Sequence, residues 1–155
     1  MITLRAMQPA EYPAYLDYFL PDYGTEIARN YGASAAEALA RAQSEIAADL
    51  PQGPQTPGQV LLCIALAATP QTAIGYLWHH PDPAHHSTFI LDFHILPALR
   101  GQGYGTAALA RLEHDLAAVG ITRIGLRVAA DNPRAEALYR ACGFHPTGTN
   151  MTKAI

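Results

Sequence analysis

The stretch PALRGQGYGTAAL, residues 97–109, contains three glycines two residues apart, directly behind an arginine and directly ahead of a helix-like run. Glycine at this density costs conformational entropy, and it usually serves to let backbone N–H groups approach another group closely. The first turn of a helix also offers unpaired N–H donors and the positive end of the helix dipole, and both favour phosphate oxygens. The stretch therefore predicts an anion-binding site where a strand meets a helix.

Secondary-structure signals around this junction predict one layered domain. Strands are predicted over residues 2–6, 60–67, 73–80, 87–96 and 121–128, helices over residues 8–20, 35–50, 104–119 and 133–142, and a strand or hairpin arm over residues 144–155. The strand at 87–96 is apolar nearly throughout, which favours burial on both faces. This mixed order indicates an α+β or α/β fold around a single sheet, as one domain over residues 1–155.

Composition narrows the class of protein. Of the 155 residues, 50% are hydrophobic and 15% are charged, as in a compact folded domain. The net charge is −3 and the only lysine is Lys153, so no basic cluster is available for nucleic acid. No apolar run suits a signal peptide or a membrane span, and Cys63 and Cys142 do not make a disulfide framework. We therefore expect a cytoplasmic protein that binds neither nucleic acid nor membrane.

Two phosphate-binding motifs fit the glycines poorly. A phosphate loop needs a Lys-Ser/Thr pair after its last glycine, whereas Gly105 is followed by Thr106 and Ala107. The dinucleotide fingerprint G-x-G-x-x-A matches residues 103–108, but that motif turns straight out of its strand, and here residues 97–101 intervene. A tight turn without a ligand is a further alternative, and three glycines behind an arginine exceed what such a turn requires.

A second motif near the end of the chain completes a resemblance to a known family. An aliphatic residue and a proline precede R-G-x-G-x-G at Ile95, Pro97 and residues 100–105. After the next strand, the pattern N-x-x-A-x-x-L-Y-x-x-x-G-F is matched by Asn132, Ala135, Leu138, Tyr139, Gly143 and Phe144. From residue 89 to residue 144 the sequence resembles the GNAT superfamily of N-acetyltransferases, and its whole layout is similar to an uncharacterised bacterial branch of that superfamily.

The resemblance implies a fold and a cosubstrate. The fold is a single α+β domain with a mixed, mostly antiparallel central sheet, helices on both faces, and a bulged, splayed pair of central strands. The cosubstrate is acetyl-CoA, with its pyrophosphate on the N–H groups of residues 101–106 and its pantetheine arm along residues 93–95. The residues expected to bind it are Phe93, His94, Ile95, Arg100, Gly101, Gln102, Gly103, Tyr104, Gly105, Thr106, Asn132 and Tyr139. Asn132 also has an ordinary role as the N-cap of its helix.

Acetyl transfer to an amine requires a base or a water chain for the ammonium proton, and an acid for the departing thiolate. The resemblance places Tyr139 as the leaving-group acid, with a core aromatic as the alternative. The candidate base is Asp92, a carboxylate in an otherwise apolar strand. His94 would share its face and is the alternative catalytic base, since an imidazole has an ordinary pKa near 6.5. A structural carboxylate, a rim histidine and ordered water remain open. Arg127 stands where the similar ribosomal-protein acetyltransferases have a glutamate, which weakens the transfer of their base and their peptide substrate to this chain.

Two other groups of side chains have a less specific pattern. Adjacent histidine pairs occur at His79, His80, His85 and His86. They lack the i, i+4 spacing of helical metal ligands and an accompanying thiolate, so no metal site is predicted. Four tyrosines either wall an acceptor pocket or belong to the core, namely Tyr15, Tyr18, Tyr23 and Tyr31.

These observations together predict an acyltransferase that moves an acetyl group from acetyl-CoA to a primary amine. The acceptor is a small molecule or an exposed amine of a peptide or protein. A regulatory module that binds CoA without turnover is the alternative, and a dinucleotide-binding protein is a distant third. A homodimer is left open.

Overall fold

Five strands form one sheet in the order β1-β2-β3-β4-β5 in the computed structural model, which describes residues 1–155. The elements are β1 (Ile2–Ala6), α1 (Tyr12–Tyr31), α2 (Ala35–Asp49), β2 (Val60–Leu66), β3 (Thr69–Asp82), β4 (Ser87–Ile95), α3 (Tyr104–Ala118), β5 (Arg123–Leu126) and α4 (Pro133–Ala141). Neighbouring strands pair antiparallel from β1 to β4, and β5 pairs with β4 in parallel. The predicted α+β fold with a mixed, mostly antiparallel sheet is confirmed. Such a sheet does not match the parallel sheet that the dinucleotide-binding alternative requires.

Strand β4 contains a bulge and then parts from β5. Trp78 of β3 faces Asp92, while the next residue, His79, faces Ile90, so Leu91 is the extra residue of β4. The parallel ladder with β5 ends at Ile90, and the remainder of β4 has no partner on that side. The predicted bulged and splayed pair of central strands is therefore confirmed, and it leaves backbone groups of residues 91–95 open toward β5.

Helices cover both faces of the sheet because side chains alternate along each strand. On one face, Leu109 and Leu112 of α3 join Leu77 of β3 in an apolar cluster, with α4 packed at its margin. On the other face, α1 and α2 form a second cluster with residues of β2 and β3, among them Trp78. The capping box at Ser34 starts α2 as predicted, since its hydroxyl accepts from the Glu37 N–H at 3.2 Å. The predicted two-sided helical cover is confirmed.

Helix α1 is longer than the sequence predicts. A helix was expected over residues 8–20, whereas α1 continues through Pro21 to Tyr31. The proline removes one backbone hydrogen bond, but beyond it Gly24 and Ile27 are buried, with Ile27 packed among residues of α2. Tertiary packing thus extends α1 by three turns, and these turns bring further side chains to the open edge of β4.

The chain after α4 departs from the sequence expectation. A strand or hairpin arm was predicted over residues 144–155, and the structure assigns no strand to this segment. Pro146 cannot donate to a sheet ladder and Gly148 gains nothing from packing a side chain, so both weaken strand formation here. None of the helices combines the length and the apolar character that a membrane crossing requires.

Candidate active site

The gap between β4 and the segment after β5 forms the main cleft, a cavity of about 540 Å³. It is closed at one end by the start of α3 and on one side by α4. The predicted site residues that line it are Asp92, Phe93, His94, Ile95, Arg100, Gly101, Gly103, Tyr104, Gly105, Thr106, Asn132 and Tyr139. Gln102 is the one predicted site residue that does not line this cavity.

The glycine loop forms one end of the main cleft. Gly101 and Gly103 have φ values of 77° and 80°, in the left-handed region that favours glycine, and Gly103 is the N-cap of α3. The first backbone bond of the helix runs from the Ala107 N–H to the Gly103 carbonyl at 3.0 Å, so the N–H groups of residues 104–106 are the unpaired donors of the first turn. This end of the cleft therefore has the donors and the dipole that a phosphate group requires.

Arg100 fixes the glycine loop to the end of β4. Its Nε donates to the Ile95 carbonyl at 2.8 Å, and its Nη2 lies 3.3 Å from Nδ1 of His94. Gly105 brings α3 close to α4, since a Cβ at this position would lie 3.1 Å from Cδ2 of Leu138. Asn132 caps α4 by accepting from the Ala135 N–H at 3.2 Å, and it also lines the cleft. Both predicted roles of Asn132 are compatible with this position.

Asp92 directly follows the bulge and is held by two phenols of α1. Tyr15 donates to Oδ2 at 3.0 Å and Tyr18 donates to Oδ1 at 2.9 Å. Burial raises the pKa of Asp92 to about 7, although both phenol hydrogen bonds favour the carboxylate and act in the opposite direction. A carboxyl group with this pKa exchanges a proton readily near neutral pH.

His94 lies on the same side of β4 as Asp92, as the alternation of the strand predicts. Its ring stacks on Tyr18 with centroids 3.5 Å apart, and the residue is 9% exposed. Burial, together with the positive charge of Arg100, lowers the pKa of His94 to about 4. The imidazole is therefore neutral at physiological pH and a weaker base than Asp92.

Tyr139 reaches the cleft from α4. Its ring packs between Phe93 and Phe144, with centroids 6.4 and 5.7 Å away. Burial, reinforced by the negative charge of Asp92, raises the pKa of Tyr139 to about 12. The Tyr139 hydroxyl makes no hydrogen bond to another protein group. Every fully buried side-chain oxygen or nitrogen has a hydrogen-bond partner, so this hydroxyl is not fully buried and is open to the cavity that Tyr139 lines. Tyr139 is thus both a packed aromatic and a free phenolic donor.

A side cavity of about 250 Å³ adjoins the main cleft beside Asp92. Its lining combines aromatic side chains with carboxyl groups from α1 and α2, and it shares Asp22, Glu26 and Arg127 with the main cleft. Phe89 and Leu91 of β4 also line it and are 45% and 40% exposed, which corrects the expectation that β4 is buried on both faces. The side cavity thus separates this part of β4 from the side chains of α1 and α2.

Two ion pairs connect the second half of α1 to the segment after β5, beside the main cleft and the side cavity. Arg127 pairs with Glu26 at 2.9 Å, and Arg29 pairs with Asp131 at 2.6 Å. Sequence reasoning did not find the α1 residues Asp22 and Glu26, because they lie beyond the proline where the helix was expected to have ended. The i, i+3 spacing of Tyr15 and Tyr18 was the available signal for the two donors to Asp92.

The remaining candidates have ordinary structural positions. His79 is buried against Thr88, and His85 pairs with Asp82 on the surface. No three His, Cys, Asp or Glu side chains are grouped to hold a metal ion. Of the four tyrosines, Tyr15 is fully buried, Tyr18 lines the main cleft, Tyr23 lines the side cavity and Tyr31 is exposed.

Comparison with known proteins agrees with this geometry. The chain is 33% identical to the uncharacterised N-acetyltransferase YycN of Bacillus subtilis, over 99% of each chain. The crystal structure of YycN matches with a TM-score of 0.91 and 31% identity, over 100% of this chain and 99% of that one.

More distant structures share the fold. One is the PaiA N-acetyltransferase of Thermoplasma acidophilum in complex with coenzyme A, with a TM-score of 0.73 and 15% identity over 97% of this chain and 93% of that one. Another is the spermidine N-acetyltransferase of Vibrio cholerae in complex with CoA and spermine, with a TM-score of 0.66 and 21% identity over 95% of this chain and 82% of that one. The model of the acetyltransferase (GNAT) family matches residues 36–144, more than half of the chain. The protein belongs to the acetyltransferase (GNAT) family.

Proposed function

We propose that the protein transfers an acetyl group from acetyl-CoA to a primary amine, with Asp92 as the base and Tyr139 as the acid. The observation that carries the proposal is the arrangement of the main cleft. It brings an anion-binding helix start, an unpaired strand edge, a carboxyl group with a pKa of about 7 and a free phenol onto one cavity. The complexes of PaiA and of the spermidine enzyme with coenzyme A support the CoA part.

In the proposed reaction, the protein binds acetyl-CoA through backbone groups. The N–H donors of residues 104–106 hold the pyrophosphate, and Arg100 keeps their loop in place. The free edge of residues 91–95 hydrogen-bonds the amides of the pantetheine arm as an added strand would. Both contacts orient the thioester toward Asp92 and Tyr139.

The proton steps use Asp92 and Tyr139. Asp92 takes one proton from the ammonium group of the acceptor, and the neutral nitrogen then attacks the thioester carbonyl. As the C–S bond breaks, the thiolate takes the phenol proton of Tyr139. The second proton of the attacking nitrogen restores the phenol through solvent, and Asp92 releases its own proton to solvent, so each turnover liberates one proton. His94, with a pKa of about 4, is a positioning residue that contacts Tyr18 and Arg100.

A panel of amines, amino acids and peptides tests the proposal. We expect amine-dependent release of free thiol from acetyl-CoA, with the N-acetylated amine identified by its mass. Saturation with CoA at a hundredfold excess over its Kd is expected to stabilise the fold by about 2.7 kcal/mol. Stabilisation by CoA without thiol release for any amine would contradict the proposal and identify a non-catalytic CoA-binding module. A cytoplasmic location and a homodimer stay predictions from the sequence.

A further inference from the structure

The side cavity opens onto the main cleft at the proposed base. The residues lining both cavities are Asp22, Glu26, Ile90, Leu91, Asp92 and Arg127. If acetyl transfer occurs at Asp92, the acceptor nitrogen lies at this junction, and the rest of the acceptor extends away from the thioester. The side cavity is a partly open space that adjoins this junction, and its volume of about 250 Å³ suits a short chain rather than a folded partner.

The two ends of the combined cleft have opposite charge. At the end formed by the glycine loop, the lining includes Arg100 and Arg134 and no carboxyl group within the loop or the start of α3. The side cavity contains one guanidinium, that of Arg127, against five carboxyl groups, which are Asp22, Glu26, Glu45, Asp49 and Asp92. An anionic acceptor is therefore disfavoured in the side cavity, and a cationic one is favoured.

Two of these five carboxylates have neither a counter-ion nor a hydrogen-bond donor in the protein, whereas Asp92 accepts from the phenols of Tyr15 and Tyr18. Glu26 pairs with Arg127 at 2.9 Å, and Glu45 accepts from both Arg41 and Tyr23. Asp22 and Asp49 make neither an ion pair nor a side-chain hydrogen bond, although both line the cavity. They are the groups left to balance a positive charge on a bound molecule.

The walls between these charges are apolar and aromatic. Phe19, Trp78 and Phe89 line the side cavity together with Leu91, and Phe89 and Leu91 are partly exposed there. Such walls cover the methylene groups of an alkyl chain, and their ring faces attract an ammonium group. The combination of carboxylates and aromatic faces fits a chain that is apolar in the middle and positive at its far end.

We propose that the acceptor is a small alkyl amine with a second positive charge, a diamine or polyamine, whose distal ammonium group binds in the side cavity beside Asp22 and Asp49. This proposal rests on the proposed acetyl transfer at Asp92. It adds the class of acceptor and names two residues that determine the specificity.

Three acceptors of similar length test the proposal: 1,6-diaminohexane, hexylamine and 6-aminohexanoate. They differ in whether the far end is positive, neutral or negative. We expect kcat/KM to be about tenfold higher for the diamine than for hexylamine, and lowest for 6-aminohexanoate. The preference should shrink as ionic strength rises, because exposed charges are screened. Equal kcat/KM for all three acceptors would overturn the proposal.

Variants of the unpaired carboxylates connect the preference to the side cavity. Asp49→Asn is expected to lower the ratio of diamine to hexylamine kcat/KM several-fold, and Asp49→Lys is expected to move the preference toward 6-aminohexanoate. Asp115→Asn is the matched control, because Asp115 pairs with Arg111 on the far surface of α3 and should leave the ratio unchanged. An unchanged ratio in both Asp49 variants would assign the preference to another part of the molecule and contradict the proposal.

Binding measurements separate this proposal from the proposed function. Calorimetric titration of the protein saturated with CoA is expected to give a Kd for 1,6-diaminohexane about tenfold lower than that for 6-aminohexanoate. Absence of turnover with this binding preference intact would overturn acetyl transfer and keep the cationic site. Turnover with equal Kd values would keep acetyl transfer and overturn the cationic site.

Discussion

The two ends of the combined cleft, which consists of the main cleft and the side cavity, are built in different ways. The glycine-loop end, residues 100–106 with Asn132, offers backbone N–H groups whose position depends on glycine conformation and on one arginine. The carboxylate end, formed by Asp92 and the acidic residues of α1 and α2, offers side chains held by other side chains. Contacts made by backbone groups persist when most side chains change, whereas contacts made by charged side chains can change one residue at a time. The difference predicts distinct effects for substitutions at the two ends.

Tyr139 lies between the two ends, and its substitution should have the largest effect. With Tyr139→Phe we expect kcat to fall by about a hundredfold or more, because the departing thiolate loses its proton donor. CoA affinity should change little, since the ring still packs between Phe93 and Phe144. Steady-state kinetics with thiol detection, together with titration of CoA, measures both quantities. Tyr31→Phe, at an exposed tyrosine, is the control, and turnover of Tyr139→Phe equal to that of the control would leave Tyr139 as a packing residue.

A substitution at Gly103 tests whether the glycine-loop end acts through its backbone. Gly103→Val places a β-branched residue at φ 80° beside the open N–H groups, so the stabilisation of about 2.7 kcal/mol expected from excess CoA should be lost. Gly120→Val is a matched control, because Gly120 has φ 84°, has open space around its Cβ position and lies at the other end of α3. Both variants lose stability from backbone strain, so the quantity to compare is the rise in unfolding temperature that CoA causes in each variant. An equal rise in unfolding temperature with CoA in the two variants would contradict phosphate binding at this loop.

Asp92 should make the stability of the carboxylate end depend on pH. The pKa of Asp92 is raised by burial to about 7, above the value near 3.9 of an unfolded chain, so the folded state favours the protonated form. Its stabilising contribution is therefore complete below about pH 4 and is lost as pH rises through 7. Asp92→Asn should remove this loss. Relative to the difference between the two proteins at pH 4, the free energy of unfolding of Asp92→Asn should exceed that of the wild type by about 4 kcal/mol at pH 8, since each pH unit between about 4 and 7 costs about 1.4 kcal/mol. Urea unfolding at the two pH values measures this, and parallel pH dependence in both proteins would contradict a raised pKa.

Tyr18 should have the smallest effect, through one hydrogen bond. Tyr18→Phe removes a donor that favours the carboxylate, so the pKa of Asp92 should rise and the acidic limb of kcat/KM should move upward by roughly 0.7 of a pH unit. Tyr23→Phe, whose phenol donates to Glu45 instead, should leave the limb in place. If the acidic limb of kcat/KM also stays in place in Tyr18→Phe, the hydrogen bond from Tyr18 does not affect the pKa of Asp92.

The glycine-loop end could be predicted from sequence because its parts are contiguous. Residues 95–106 form one continuous motif, and the block from Asn132 to Phe144 forms another. Each motif can be identified from sequence because it lies within a short stretch of the chain. The carboxylate end could not be predicted in the same way, because Tyr15 and Tyr18 lie 77 and 74 positions from the Asp92 that they contact. Only packing brings these residues together.

The errors in the predicted fold have different origins. Helix α1 passes Pro21 because its second half packs on α2, which local propensity does not show. The apolar stretch of β4 suggested burial on both faces, yet Phe89 and Leu91 are 45% and 40% exposed where they line the side cavity. A strand or hairpin arm was predicted for the segment after α4, but the structure assigns it none. The extension of α1 depends on a contact that is distant in sequence, whereas Pro146 and Gly148 act locally in the terminal segment.

The pH profile of kcat/KM with 1,6-diaminohexane tests most directly whether the carboxylate end supplies the base. The amine itself titrates near pH 10, so a limb near pH 7 belongs to the enzyme. We expect this limb in the wild type and in His94→Gln, and its absence, with a lower rate, in Asp92→Asn. Loss of the limb in His94→Gln, or its retention in both variants, would contradict the assignment of Asp92 as the base.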